Sequence, residues 1–269
     1  MSTSSCGVFF LIWNLCFTCF TTTVIALRFW SNYSDRKGVR LPDYLVIIAY
    51  ISMISKAATE LWVIFNGLGK PTAELTAYEL GVLWKFFTAA SVTWLFSTIA
   101  CKLSMLTLYL ILFGVSHRFR TVIYITCAIV VVYFIVILAL FLTNCHPLSY
   151  GWNPVPGGGC RDLVLEEAVI ISLNIFLDGL IALLPTPIIW NLKMPLHKKV
   201  TIVAMFSLGL SVVGVLIWRL DLTLSSAASP DFSISTCRIA LPSALEIWLS
   251  MIVISLPSIA PLFQRHVAP

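Results

Sequence analysis

Charge is the scarcest property of this chain. Only 11% of its 269 residues are Asp, Glu, Lys or Arg, whereas 59% are hydrophobic. A soluble domain usually has about 25% charged residues, so the composition excludes an ordinary soluble enzyme. The formal net charge of +5 comes from basic residues spread over short loops, with no single basic patch, and we therefore expect no nucleic-acid partner.

Long polar segments are also missing. Seven apolar runs fill most of the chain, and each is long enough for a membrane-spanning helix. They cover approximately residues 7–27, 43–65, 81–113, 121–143, 163–192, 199–220 and 239–263. The runs are apolar on every side, unlike the alternating strands of a transmembrane β-barrel. The sequence therefore predicts an all-α membrane protein, a single seven-transmembrane helix bundle over residues 1–269 that is surrounded by the lipid bilayer.

Basic residues are divided unequally between the two sets of loops. Ten lie in the loops and tail of one side, and three lie on the other side. The positive-inside rule then predicts an N-terminus outside, or lumenal, and a cytoplasmic C-terminus. In this orientation the acceptor pattern Asn32-Tyr33-Ser34 is cytoplasmic, so we expect it to stay unglycosylated. The membrane itself can be the endoplasmic reticulum or the plasma membrane.

Clusters of metal-ligating residues are lacking, and we expect neither a metal nor a cofactor. Cys145 and Cys160 both fall in the longest outer loop, on the oxidising side of the membrane, and are candidates for a disulfide. Cys237 lies on the same side and is a competing partner.

A few charged residues lie inside the apolar runs, where an ionised side chain is costly unless it is paired or hydrated. They are Lys56, Glu60, Lys102, Asp178, Arg219 and Glu246. At about 1.5 Å per residue, two tiers of depth result. The lower tier contains Lys56, Lys102 and Asp178, and the upper tier contains Glu60, Glu246 and Arg219.

Helical spacing gives these charges a common direction. Asn174 and Asp178 are four residues apart and face the same way, as do Lys56 and Glu60. A polar stripe follows the third run at Ser91, Thr98, Lys102 and Tyr109. We expect both patterns to point into the bundle, where Lys102, Asp178 and Asn174 form an intramembrane polar network.

Two interpretations of the charges stay open at this stage. They can be ion pairs that only hold helices together: Lys102 with Asp178, and Lys56 or Arg219 with Glu60 or Glu246. Alternatively, the upper tier lines a water-accessible pocket that opens outward. Glu246 and Glu60 are then the candidate catalytic acids, and Arg219 and Lys56 are the candidate charges that stabilise a developing anion.

Several longer stretches are typical of one family. They are GLGK at Gly67–Lys70, KLSMLTLYLILF at Lys102–Phe113, CHPLSYGWNP from Cys145 followed by Gly159-Cys160, NIFLDGLIALLPTPIIWNLKM at Asn174–Met194, LGLSVVGVLIWR ending at Arg219, and Glu246 followed by LPSIAPLF. In this order the chain resembles the fungal rhodopsin-like integral membrane proteins, which include the satratoxin-cluster membrane protein. The resemblance covers essentially the whole chain. One departure is Ile111, where the family usually has Arg.

The resemblance implies a place beside the enzymes of fungal secondary metabolism. The expected function is that of a membrane-embedded accessory protein or enzyme that acts on a lipophilic small molecule, such as a polyketide or terpenoid intermediate. Its expected partners are other enzymes of the pathway. Because the chain offers carboxylates and amines but no evident nucleophile–base pair, acid-base cyclisation, isomerisation or epoxide opening is expected. The alternative is a GPCR-like receptor for an extracellular small molecule or surface cue. Residues 239–263 contain no Lys for a retinal Schiff base, so no photoreceptor is expected.

Overall fold

Seven long α-helices make up almost all of the part of the chain that the structure describes. The computed structural model describes residues 5–34, 38, 40–114, 117–153, 156–186, 196–227 and 231–267. The helices are α1 Ser5–Ser34, α2 Leu41–Phe65, α3 Ala77–Phe113, α4 His117–Leu142, α5 Leu163–Leu183, α6 Leu196–Ser226 and α7 Phe232–Val267. The predicted all-α fold is confirmed. Residues 187–192, which the sequence assigns to the fifth helix, lie outside the described residues.

Six of these helices, all except α5, are long and apolar enough to cross a membrane within the described part of the chain. The 21 residues of α5 are strongly apolar on average but include three carboxylates, more charge than any of the other six has in an apolar window of spanning length. Each carboxylate has a basic partner elsewhere, in the pairs Arg161–Glu166, Arg219–Glu167 and Lys102–Asp178. Because α5 packs against α3 and α6, the cost of its acidic residues is offset by pairing inside the bundle.

Most helices extend beyond the apolar runs that predict them. Helix α3 begins at Ala77 rather than near 81, because Thr76 and Glu79 form a capping box in which each residue accepts a hydrogen bond from the backbone N–H of the other. Helix α1 likewise continues to Ser34 rather than ending near 27. An apolar run is bounded where polar and charged residues become frequent, whereas a helix continues until its backbone is capped.

Arg28 lies in this additional part of α1. It follows the first apolar run, so the sequence places it in a loop, whereas in the structure it is buried within α1 at 1% exposure. Its guanidinium donates to Asp43 Oδ1 from Nε at 3.2 Å and from Nη2 at 2.9 Å, and Nη1 donates to the carbonyl of Ile254. Nearby, Ser31 Oγ donates to the carbonyl of Ser258 at 2.6 Å. These contacts hold α1, α2 and α7 together at one end of the bundle.

Two disulfides lie at the opposite end, which we call the disulfide end. Cys145 bonds to Cys160, and the short strands β1 (Cys145–His146) and β2 (Gly159–Cys160) pair antiparallel around this bond. Cys237, the competing partner suggested by the sequence, bonds instead to Cys6. This second disulfide joins the beginning of α1 to the beginning of α7, although 231 residues separate the two cysteines.

The predicted orientation can be tested with glycan acceptors at the two ends. Gly157→Asn with Gly159→Thr creates an acceptor at the disulfide end; both positions are open to a side chain, and Asn tolerates the φ of 85° at position 157. We expect peptide N-glycosidase to shift the mobility of this variant but not of the native protein. A native glycan that is lost on Asn32→Gln would reverse the orientation.

Candidate functional site

A cavity of about 310 Å³, which we call the large cavity, lies between the helices at the disulfide end. Its apolar wall includes four aromatic side chains, and four charged side chains also face it. The aromatic residues are Phe86, Phe87, Trp94 and Phe232, and the charged residues are Lys56, Glu60, Glu167 and Arg219. A mostly apolar wall with a few converging polar groups is typical of small-molecule sites, which usually have volumes of about 300–1,000 Å³.

One side of the large cavity has an ion pair on α2. Lys56 Nζ donates to Glu60 Oε1, and the other carboxylate oxygen, Oε2, accepts from Asn14 Nδ2 of α1 at 2.6 Å. The side chains of Lys56 and Glu60 are only 5% and 2% exposed. Because both oxygens of Glu60 have a donor, the carboxylate is held in a fixed position at the cavity wall.

Another side has Arg219 of α6, which is shared by two carboxylates. Its Nη2 donates to Glu167 Oε1 of α5, and its Nη1 donates to Glu246 Oε2 of α7 at 3.2 Å. The guanidinium carbon lies 4.4 Å from the centroid of the Trp94 ring, a cation–π contact. The Nε atom of Arg219 is buried without a hydrogen-bond partner.

Glu246 is fully buried at 1% exposure and does not line the large cavity. Besides Arg219, it accepts hydrogen bonds from Trp94 Nε1 at 2.8 Å, Asn174 Nδ2 at 2.7 Å and Thr98 Oγ1 at 3.4 Å. A proton donor must reach the ligand directly or through one water. In this geometry Glu246 is the centre of a polar network that contacts Arg219 and Trp94, and it is not among the residues that line the large cavity.

A small cavity of about 60 Å³ lies on the other side of this network. It is lined by Lys102 and Asp178, whose side chains form an ion pair, and by Thr98 one helical turn away from Lys102. Asn174 is likewise one turn from Asp178 on α5. Helices α3 and α5 therefore each contribute one hydrogen bond to Glu246, from Thr98 and Asn174, and one member of the Lys102–Asp178 pair. The small cavity is too small for a lipophilic metabolite.

The sequence located most of these groups but missed three. Glu60 and Arg219 share one cavity, and Lys102 pairs with Asp178 at the lower level. Lys56 was assigned to the lower tier, yet its long side chain brings the ammonium group to Glu60 at the wall of the large cavity.

The three missed groups are Asn14, Trp94 and Glu167. The pattern Glu166-Glu167 inside an apolar run was the available signal for the last of them. Glu166 is in the first turn of α5, where a carboxylate is usually explained by the helix dipole, and Glu167 directly follows it, so the pair attracts little attention. No group of three or more metal-ligating side chains occurs among the described residues.

Comparison with known proteins gives one family and several curated relatives. The model of the fungal rhodopsin domain matches residues 27–265. The wortmanamides biosynthesis cluster protein C of Talaromyces wortmannii is 28% identical over 90% of this chain and 67% of its own length. The polyenoic acids biosynthesis gene cluster protein Ba17b of Metarhizium anisopliae is 27% identical over 75% of this chain and 56% of its own.

The receptor GIN3 of Arthrobotrys oligospora is 24% identical over 94% of this chain and 61% of its own length. The chain thus spans about two thirds or less of each of these relatives. No solved structure matches the chain significantly.

Proposed function

We propose, from the premise that this chain belongs to the fungal rhodopsin domain family, that its large cavity binds a lipophilic intermediate of fungal secondary metabolism. The names of matched relatives, which refer to wortmanamides, fugralins and polyenoic acids biosynthesis clusters, support this assignment. The protein acts as a multi-pass component of the endoplasmic reticulum or plasma membrane, beside other enzymes of its pathway. The wall of the cavity is mostly apolar and therefore suits an apolar intermediate that is dissolved in the bilayer.

The observation that carries the proposal is the presence of two carboxylate–cation pairs on one cavity of ligand size. Glu60 with Lys56 and Glu167 with Arg219 both line it. A carboxylate can remove a proton from a ligand carbon and return it to another atom, while a neighbouring cation stabilises the oxygen on which negative charge develops. This chemistry serves the isomerisation, cyclisation or epoxide opening of a carbonyl-containing intermediate.

Within this mechanism Glu60 transfers the proton and Lys56 stabilises the developing oxyanion. Glu246 is a positioning residue, because it contacts Arg219 and Trp94 but not the cavity. Replacing the two residues therefore has different effects. Loss of Glu60 removes the group that transfers the proton, whereas loss of Glu246 removes a contact that holds Arg219 in the cavity wall.

A second candidate function is a receptor for an extracellular small molecule or surface cue. The match to the receptor GIN3 favours it. The same large cavity would then bind the ligand, and the two carboxylate–cation pairs would serve recognition instead of chemistry. A receptor returns its ligand unchanged and produces a cytoplasmic response, so the two functions differ in what happens to the bound molecule.

We expect Glu60→Gln to abolish product formation while folded protein is still recovered, as checked by its size-exclusion profile. The variant leaves Lys56 without its counter-charge and is therefore less stable than the wild type. The amide keeps the shape of the side chain, and its single oxygen can still accept a hydrogen bond from Lys56. The NH2 group that replaces the second oxygen faces Asn14, whose own amide must turn its oxygen towards it. Gln cannot transfer the proton. Metabolite profiles of a deletion strain that expresses wild-type protein, Glu60→Gln or the exposed control Glu74→Gln are the measurement. The intermediate should accumulate in the deletion strain and with Glu60→Gln only.

Unchanged product with Glu60→Gln would remove this residue from the mechanism. A deletion strain with a normal metabolite profile but without a response to an external ligand would favour the receptor over the enzyme.

A further inference from the structure

The charged groups around the large cavity do not balance. Among the described residues that line this cavity or pair with a lining residue inside the bundle, there are two cations, Lys56 and Arg219, against three carboxylates, Glu60, Glu167 and Glu246. Lys56 is paired with Glu60 alone, so the excess arises at Arg219, which two carboxylates share. The formal charge of this group of five side chains is therefore −1.

Neighbouring charges do not remove the excess. Lys102 and Asp178 form a balanced pair at the small cavity, and Arg161 pairs with Glu166 at the disulfide end. Lys85 of α3 is exposed, lies 6.0 Å from the Trp152 ring centroid and does not line the large cavity. A buried carboxylate without its own counterion is costly in a bilayer, so a group of opposite charge is favoured at this position.

The aromatic wall of the cavity suits a cation as well. Phe86, Phe87, Trp94 and Phe232 line it, and the faces of aromatic rings attract positive charge. Trp94 already contacts one cation, the guanidinium of Arg219. Glu167 is the most exposed of the three carboxylates, with 12% of its side chain accessible against 2% for Glu60 and 1% for Glu246.

We propose that the ligand of the large cavity carries a basic nitrogen, and that its ammonium group binds beside Glu167 with its apolar part against the aromatic wall. The inference rests on the proposed function, because it takes the large cavity as the ligand site, and it narrows the ligand from any lipophilic intermediate to a lipophilic amine. The competing possibility is that a proton on one of the carboxyl groups balances the charge.

Three probes of one shape and different charge separate these cases. They are 1-aminoadamantane, 1-adamantanol and adamantane-1-carboxylate, measured at pH 7 with the purified protein in phosphatidylcholine nanodiscs and with empty nanodiscs as the blank. Isothermal titration and the shift of thermal unfolding report binding. We expect the amine to bind about tenfold more tightly than the alcohol, since a hydrogen bond to a charged group is worth at least that factor, and the carboxylate to bind most weakly.

A matched pair of variants assigns the effect to one residue. Glu167→Gln leaves two cations and two carboxylates, so the preference for the amine over the alcohol should fall to about onefold, while binding of the alcohol persists. Glu166→Gln changes the adjacent residue, which pairs with Arg161 and does not line the cavity, and should keep the full preference. Size-exclusion profiles and unfolding curves confirm that both variants are folded.

Each result decides the proposal. Equal binding of amine and alcohol to the wild-type protein would overturn it in favour of a bound proton, and would leave the proposed function standing. A preference for the amine that survives Glu167→Gln would also overturn it. Failure of all three probes would count against the large cavity as a ligand site, and the metabolite profile of the deletion strain would then show whether the proposed function fails as well.

Discussion

Replacing Arg219 by methionine is expected to lower the free energy of unfolding by about 3–5 kcal/mol, the typical cost of removing one member of a buried charge pair. The guanidinium contacts Glu167, Glu246 and the Trp94 ring, and its side chain is only 5% exposed. Methionine fills a similar volume but leaves two buried carboxylates without their shared cation. Thermal unfolding in detergent, followed by tryptophan fluorescence, is the measurement.

The control for this prediction is Arg161→Met, because Arg161 also pairs with a carboxylate of α5 but is 44% exposed in its side chain. Ion pairs that are accessible to water contribute about 1 kcal/mol or less. Because the Arg161 end of this pair is accessible, the variant should lose much less stability than Arg219→Met. Adding Glu246→Gln to Arg219→Met removes one of the stranded charges and should restore part of the loss. Equal stability of Arg219→Met and wild type would mean that water, not Arg219, satisfies these carboxylates.

The fold could be predicted from the sequence because it depends on an average property. An apolar run of membrane length must be helical in lipid, whatever its detailed order, so the seven helices follow from composition. The positions of the intramembrane charges also follow, since the rise per residue is constant. Lys56 shows the limit of that estimate, because depth along a helix locates the backbone and not the end of a long side chain.

The pair Lys102–Asp178 is one that the sequence suggests, and Lys56–Glu60 and Arg219–Glu246 are among its alternatives for the other charges. The remaining partners could not be predicted, because they come from helices far away in the sequence. Glu246 accepts from Trp94, 152 residues earlier, and Arg28 donates to the carbonyl of Ile254, 226 residues later. The disulfide between Cys6 and Cys237 belongs to the same class. A pattern of hydropathy reports that a charge is present but not which element packs against it.

The same limit applies to Glu246 and Glu167. Glu246 is deep in an apolar run, which makes it the most conspicuous acid in the sequence, yet four donors surround it and the cavity does not reach it. Glu167 is close to the end of a run and attracts little attention, yet it faces the large cavity. Burial alone therefore does not distinguish a group that binds a ligand from one that positions its neighbours.

The second large effect is expected at the small cavity, where Lys102→Met or Asp178→Leu alone should each lower the free energy of unfolding by about 3–5 kcal/mol. Each change leaves the other side chain charged and buried, because Lys102 and Asp178 are 4% and 17% exposed and bond to each other. The double variant has no stranded charge. We expect it to unfold at or above the temperature of the wild type, since apolar replacement of a buried pair is often neutral or stabilising.

Product formation then distinguishes the two possible roles of the buried Lys102–Asp178 pair, joining helices or taking part in the chemistry. The Lys102–Asp178 pair lines the small cavity and not the large one, so the double variant should restore the metabolite profile together with the stability. Recovery of stability without recovery of product would instead show that the pair serves the chemistry of the large cavity, through Thr98 and Glu246. Because the folded state is the same in both outcomes, only the metabolite profile distinguishes a pair that joins helices from one that moves protons.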